Sequence, residues 1–386
     1  MGQGVFRGSW TLIRAAAILA AAMGSIGCGN FFVPPDNSGG GGGGGGTGTG
    51  RVYVANATSG PNTTTGSIAG FTIGTGTLTA VPNSSMAVSY QPLAAVVSPN
   101  NAFLYVSSGS AIIVYTINSD GSLTAQSNGV VINVVSLDVS PDGKWLFGLD
   151  LLSGALDEFQ IDSSSGGLSA MTPQPCQISN GATPLPQEVK VSPSGNFVFT
   201  ALGSAGDCIY SLNTATGATS FATFLSVSSS SSDNGLAVDS TGSTLYIARA
   251  GTNGGVAVYT IGGGGVITPI AGSPFAAGNR PFSVVLDKTG KYVYVANRND
   301  NTISGYSIGA NKALTALSGS PFTSGQQVNS LGIDPGGTYL LAGANGGSPD
   351  LSMYSFDATT AGALVLAKSV ATDTDPTNVA AIAVTH

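Results

Sequence analysis

The sequence predicts an all-β fold, a seven-bladed β-propeller of four-stranded antiparallel blades, and three observations carry that expectation. A strand–turn–strand motif recurs with anchors at positions 98, 140, 192, 239, 287 and 334, spaced 42, 52, 47, 48 and 47 residues apart. The anchors open turns such as Ser140-Pro141-Asp142-Gly143, where Pro141 presets φ, Asp142 suits the third turn position and Gly143 the fourth. The chain ends are complementary: residues 52–56 read as a second strand lacking a first, and residues 379–384 as a first strand with nothing after it. A four-stranded repeat of about 47 residues is the unit of a propeller blade. Six internal blades and one composite of the two ends close a ring that leaves only short edges.

Composition excludes other classes. Only 8% of the 386 residues are charged while 42% are hydrophobic, too few charges and too much apolar content for a coiled coil or a solvated disordered chain. With 12 Lys+Arg against 19 Asp+Glu there is no basic stripe, so no nucleic-acid partner is expected. Ser, Thr, Asn and backbone must wet the surface.

From the amino terminus, Arg7 and Arg14 form a positive segment ahead of an apolar stretch at 15–23, and Ser25-Ile26-Gly27-Cys28 follows. This resembles a bacterial lipobox, with Ser25 where an aliphatic residue is usual. The resemblance implies a signal peptide over 1–27, cleavage before Cys28 and acylation of Cys28, which makes the lipid membrane a partner. The twelve residues 15–26 are too few to span a bilayer, which takes about twenty. Gly29 after the cysteine is similar to the pattern that lets such lipoproteins reach the outer membrane, so an extracytoplasmic, envelope-anchored protein is expected. Residues 28–50, with an unbroken glycine run at 39–46, read as a flexible tether reaching roughly 25 Å. The propeller occupies 51–386.

Within the repeats, second strands are expected at 103–106, 145–147, 197–199, 245–247, 292–295 and 339–341. Third strands follow at 112–117, 256–261 and 302–308, and short fourth strands at 122–125 and 313–316. Tyr53-Val54-Ala55-Asn56 and Tyr294-Val295-Ala296-Asn297 resemble the tetrapeptide of YVTN-type propeller repeats. With the repeat length and the Ser-Pro-Asp-Gly turns, residues 51–386 are similar to the seven-bladed lactonase-like, 6-phosphogluconolactonase-type family. The resemblance implies lactone hydrolysis supported by a histidine in a Pro-His-x-Val stretch. The matching stretch here is Asn279-Arg280-Pro281-Phe282-Ser283-Val284, and the sole histidine, His386, is the last residue and reads as a frayed end. The family's histidines therefore do not carry over.

Blade topology places the connections between blades and the loops between second and third strands on one face. The polar candidates there are Arg249, Arg280 and Arg298, with Asn56, Gln91, Asp150, Gln187, Glu188, Asn279, Asn297 and Asp300. Arginine forks suit a carboxylate or phosphate. The alternative is that they tie neighbouring loops together, for instance through Asp300. Glu188 and Asp150 are the catalytic candidates, Glu188 because an acid opening a first strand can face the central channel. Asn299-Asp300-Asn301 lacks the further acids of a calcium loop, and no metal or cofactor is expected. Gly262–Gly265 lacks the lysine of a phosphate loop. With Cys28 set aside, Cys176 and Cys208 are an even number in an oxidising setting and are expected to pair, two buried thiols being the alternative. Two functions remain: a monomeric binding or interaction scaffold for a small carboxylate, a sugar or a protein partner, favoured by the missing histidines, and a lactone or sugar-ester hydrolase.

Overall fold

The computed structural model describes residues 50–58, 65–346, 349–373 and 378–386. Cys28, the signal segment and all of the tether but Gly50 lie outside them. The described residues form seven antiparallel sheets around a central channel. Blades 2 to 7 follow in chain order over residues 94–125, 134–170, 188–225, 231–269, 281–316 and 328–370. Blade 1 is composite: Arg51–Ala57 pairs with Gly66–Gly74 on one side and with Asn378–Val384 on the other. Two blades carry more than the expected four strands. Met86–Val88 adds to the third strand of blade 1, and Phe322–Thr323 to that of blade 6.

The recurring anchors have a common task. Ser98, Ser140 and Ser192 each accept, on Oγ, the amide five residues on, at 2.9, 3.0 and 3.0 Å. Asp239, Asp287 and Asp334 do the same on Oδ1 at 3.2, 2.7 and 2.6 Å. A short polar side chain thereby satisfies a buried donor at the head of the second strand, where an orphan would be costly. Ring closure reproduces this turn without a covalent link. Thr385 Oγ1 accepts the Arg51 amide at 2.8 Å, and the Thr385 amide donates to the Arg51 carbonyl at 2.9 Å.

Strand alternation buries one row of side chains on each blade face, and the apolar clusters sit between neighbouring blades. Tyr53, Leu104, Val106 and Tyr115 fill the gap between blades 1 and 2, and Val54, Phe71, Leu341 and Met353 the gap between blades 7 and 1. Aromatic tips cross these gaps. Tyr53, Tyr105 and Tyr294 donate from their hydroxyls to the carbonyls of Gly121, Gly166 and Gly362 in the following blades, at 2.9, 3.1 and 2.7 Å.

Candidate ligand-binding site

The inner strands set what faces the channel. Ala94, Ser136, Glu188, Gly235, Ser283, Ser330 and Ala381 each pair with the fifth residue of their blade's second strand, so they occupy one ring of equivalent positions. Where the ring holds serine, its hydroxyl latches the next blade: Ser136 accepts the Val189 amide at 3.1 Å, Ser283 that of Leu331 at 3.2 Å and Ser330 that of Ile382 at 3.1 Å. Glu188 makes the same latch with Oε2, to the Leu236 amide at 2.6 Å. A longer, ionisable side chain thus stands where serine suffices. Burial pushes the Glu188 carboxyl up to about 7, against the pull of Lys190. Lys190 pairs with Asp138 at 3.3 Å.

Glu188, Lys190, Asp138 and His386 line a channel cavity of about 310 Å³. The expectation of a frayed terminal histidine is corrected here. The His386 amide donates to Asn101 Oδ1 at 2.8 Å, and ring Nε2 lies 3.1 Å from the Val97 carbonyl, because the last strand ends beside the blade 2 turn. Its signal in the sequence was the 51-residue spacing from Asp334 to Thr385, which makes residue 386 part of a turn.

The three arginines separate into different environments. Arg249 is locked: Nε and Nη2 fork onto Asp233 at 2.6 and 2.7 Å, and Nη2 also donates to Tyr259 at 3.2 Å. Asp233 is fully buried, and neighbouring Asp207 is held well above the usual carboxyl range by burial and by Asp233. Arg298 lies over the Phe282 ring, Cζ 5.0 Å from its centroid, and burial and then Arg280 lower its pKa. Arg280 is exposed on a backbone at φ 55°, a strained setting for a non-glycine residue. Among the described residues neither Arg280 nor Arg298 has an ion-pair partner.

Asp300 does not tie down an arginine. Its Oδ2 accepts the Asn279 amide at 2.6 Å, while the Arg298 amide donates to the Arg280 carbonyl at 3.0 Å. These bonds stitch the connection into blade 6 onto that blade's second loop and bring the Arg280 and Arg298 backbones together. Gly278 permits the approach, since a β-carbon there would stand 2.7 Å from Asn297 Cγ and Asp300 Oδ2. Beside this connection opens a concavity of about 410 Å³ lined by Asn279, Arg280, Asn299, Ser204 and Ser229–Ser232.

Other candidates are taken up by the fold. Asn297 Oδ1 accepts the Gly278 amide, and its Nδ2 donates to Thr302 and Ser304. Asn56 Nδ2 donates to Ser67 while its Oδ1 accepts from Thr372. Asp150 Oδ1 caps its own loop, accepting from the amides of Leu152 and Ser153. Gln187 donates to the Leu185 carbonyl and Gln91 to that of Thr58. Cys176 and Cys208 are disulfide-bonded, Cα atoms 5.8 Å apart, joining the connection after blade 3 to the third strand of blade 4. No cluster of three or more potential metal-ligating side chains occurs among the described residues.

Comparison with known proteins bears on the family resemblance. Residues 200–372 match the family described as lactonase, 7-bladed β-propeller. A structure titled as a candidate 6-phosphogluconolactonase from Bacteroides uniformis aligns with a TM-score of 0.72 at 18% identity, covering 87% of this chain and 99% of that one. A Lactobacillus plantarum protein aligns at 0.71 and 18%, covering 88% and 100%. The periplasmic gluconolactonase of Pseudomonas aeruginosa aligns at 0.67 and 17%, covering 86% and 98%. At these identities the likeness speaks for the fold. No curated protein matches the chain.

Proposed function

We propose that this lactonase-like seven-bladed propeller is a binding scaffold that holds a small carboxylate or sugar acid on its inter-blade face through Arg280 and Arg298. One observation carries the reading: Arg280, exposed and without a carboxylate partner among the described residues, lines a serine-rich concavity, and Arg298 is near enough for the two positive charges to repel. A paired fork accepts a carboxylate in charge-assisted bonds, and serine hydroxyls suit sugar oxygens. That concavity contains no group suited to act as a general base, which favours binding over turnover. Isothermal titration with gluconate tests it. Arg280→Ala with Arg298→Ala should weaken binding at least tenfold, since hydrogen bonds to charged groups contribute about 1.5–3 kcal/mol. Unchanged affinity in the double variant would remove the reading.

A lactone or sugar-ester hydrolase is the second reading, and Glu188 supports it. A carboxyl poised at about 7 in the channel is tuned to take a proton from an attacking water near neutral pH. Purified protein assayed against a panel of lactones, with Glu188→Gln as control, separates the two. Hydrolysis that rises through pH 7 and disappears in the variant would favour the enzyme.

The envelope setting is part of the proposal and rests on the sequence around Cys28. Labelled palmitate should enter the protein, and a Cys28→Ser protein should leave the membrane fraction. Equal membrane association of that variant would count against the anchor.

A further inference from the structure

Large exposed apolar side chains are not spread evenly over this molecule. Four of the seven among the described residues, Val131 (90% exposed), Leu151 (39%), Leu152 (74%) and Leu185 (52%), belong to the loops around blade 3 on the inter-blade face. That is the face carrying Arg280. An apolar cluster of this kind on a surface otherwise wetted by serine and threonine marks a binding area.

The cluster is continuous with the cationic rim. The Leu151 amide donates to the Asn133 carbonyl at 2.9 Å, which holds the Leu151–Leu152 loop against the connection carrying Val131. A β-carbon at Gly154 would stand 2.9 Å from Leu202 Cδ2 and 3.0 Å from Pro184 Cβ, so the same loop lies on the connection to blade 4. A β-carbon at Gly203 would stand 2.9 Å from Leu185 Cβ and 3.4 Å from Ser232 Oγ. Ser232 and Ser204 line the concavity whose other wall holds Arg280. The path runs from leucines, across serines, to Arg280, which has no ion-pair partner among the described residues and whose charge is felt by Arg298.

We infer that this face takes an amphipathic anion, a free alkyl carboxylate whose head meets Arg280 and Arg298 and whose unbranched tail crosses the serine floor onto Leu185 and Leu152. The inference rests on the anion-binding reading above and adds the apolar half of the ligand. Charge complementarity fixes the sign of the head, and the leucines fix the chemistry of the far end. A sugar acid fills only the polar end of this path.

The test is a titration series of butanoate, hexanoate, octanoate and decanoate, each below its micelle-forming concentration, with the full chain. Affinity should rise about three- to fourfold per added methylene that reaches the leucines. A Leu152→Ser, Leu185→Ser double variant, altered only at exposed sites, should bind butanoate as before and lose the dependence on length. The Arg280→Ala, Arg298→Ala variant should lose butanoate too. A flat series with gluconate and butanoate still bound would overturn the amphipathic ligand and leave the anion site standing. Absence of binding by every acid would overturn both. A length dependence that survives the leucine variant would place the tail elsewhere and also overturn the proposal.

Discussion

Glu188 shows how a single position departs from its ring. Six equivalent positions carry alanine, serine or glycine, and all three serines make the same latch to the next blade that Glu188 makes. The extra reach brings a carboxyl into the channel. Glu158 and Asp157 are buried more deeply than Glu188, and burial pushes each up to about 7. Glu158 accepts a bond from Thr219 of blade 4. A raised carboxyl pKa favours the protonated form in the fold. The unfolded chain releases its protons near the ordinary carboxyl value, so stability falls as pH climbs from there to about 7 and levels above it. Melting temperature is therefore expected to drop between pH 5 and 7.5. Glu158→Gln, which stays neutral, should flatten that drop and melt higher than the parent at pH 8. A parent whose melting temperature rises over that interval would contradict the assignment.

Turns and bridges act over a few residues, and their contributions are separable. Thr385 contributes the closing turn's side-chain acceptor, so Thr385→Ala should cost about 1 kcal/mol, the size of one buried hydrogen bond. Denaturant unfolding would show it as a lower midpoint with unchanged slope. The Cys176–Cys208 bridge closes a separation of 32 residues and adds a covalent tie to the connection into blade 4. In the chain-entropy picture that loop contributes about 3–4 kcal/mol. Denatured, unreduced protein should show no titratable thiol from this pair. Reduction should lower the melting temperature, and an unshifted melt would assign the bridge no stabilising role. The anchor turns are legible in the sequence alone, since their acceptor and donor lie five residues apart. The extra strands of blades 1 and 6 were not, because Met86–Val88 and Phe322–Thr323 carry no alternation longer than three residues.

The ring depends on its last strand. Asn378–Val384 is the inner strand of blade 1, packs through Val379 and Ile382 into the cluster shared with blade 7, and is latched by Ser330. Removing residues 378–386 exposes the edge of Arg51–Ala57 and the apolar faces on both sides, an unpaired edge of the kind that aggregates. The truncated protein should elute as soluble aggregate on gel filtration and lose its cooperative melt. A monomer melting within a few degrees of the full chain would rule out closure by this strand. The outer edges are short in most blades but seven residues long in blades 4 and 7, at Thr219–Leu225 and Leu364–Val370.

Repeat number, turn type and the split blade were readable from sequence because each is a local or periodic property. An anchor, its turn and its two strands lie within 14 to 21 consecutive residues, and six contiguous copies average out the irregularities. The candidate site divides differently. Arg249 and Arg298 stand at similar offsets in adjacent repeats, yet only Arg249 finds a carboxylate, Asp233, sixteen residues back and beside a register shift between Asp233 and Gly235. A one-residue bulge turns a side chain to the other face of its strand, so pairing at such a place depends on the register of the assembled blade. Glu188 meets its donor 48 residues away in the next blade, and Ser204, Ser232 and Arg280 line one concavity only because loops of different blades emerge on one rim. Contacts between blades follow from ring closure, whose geometry is held jointly by all seven interfaces and is written in no single repeat.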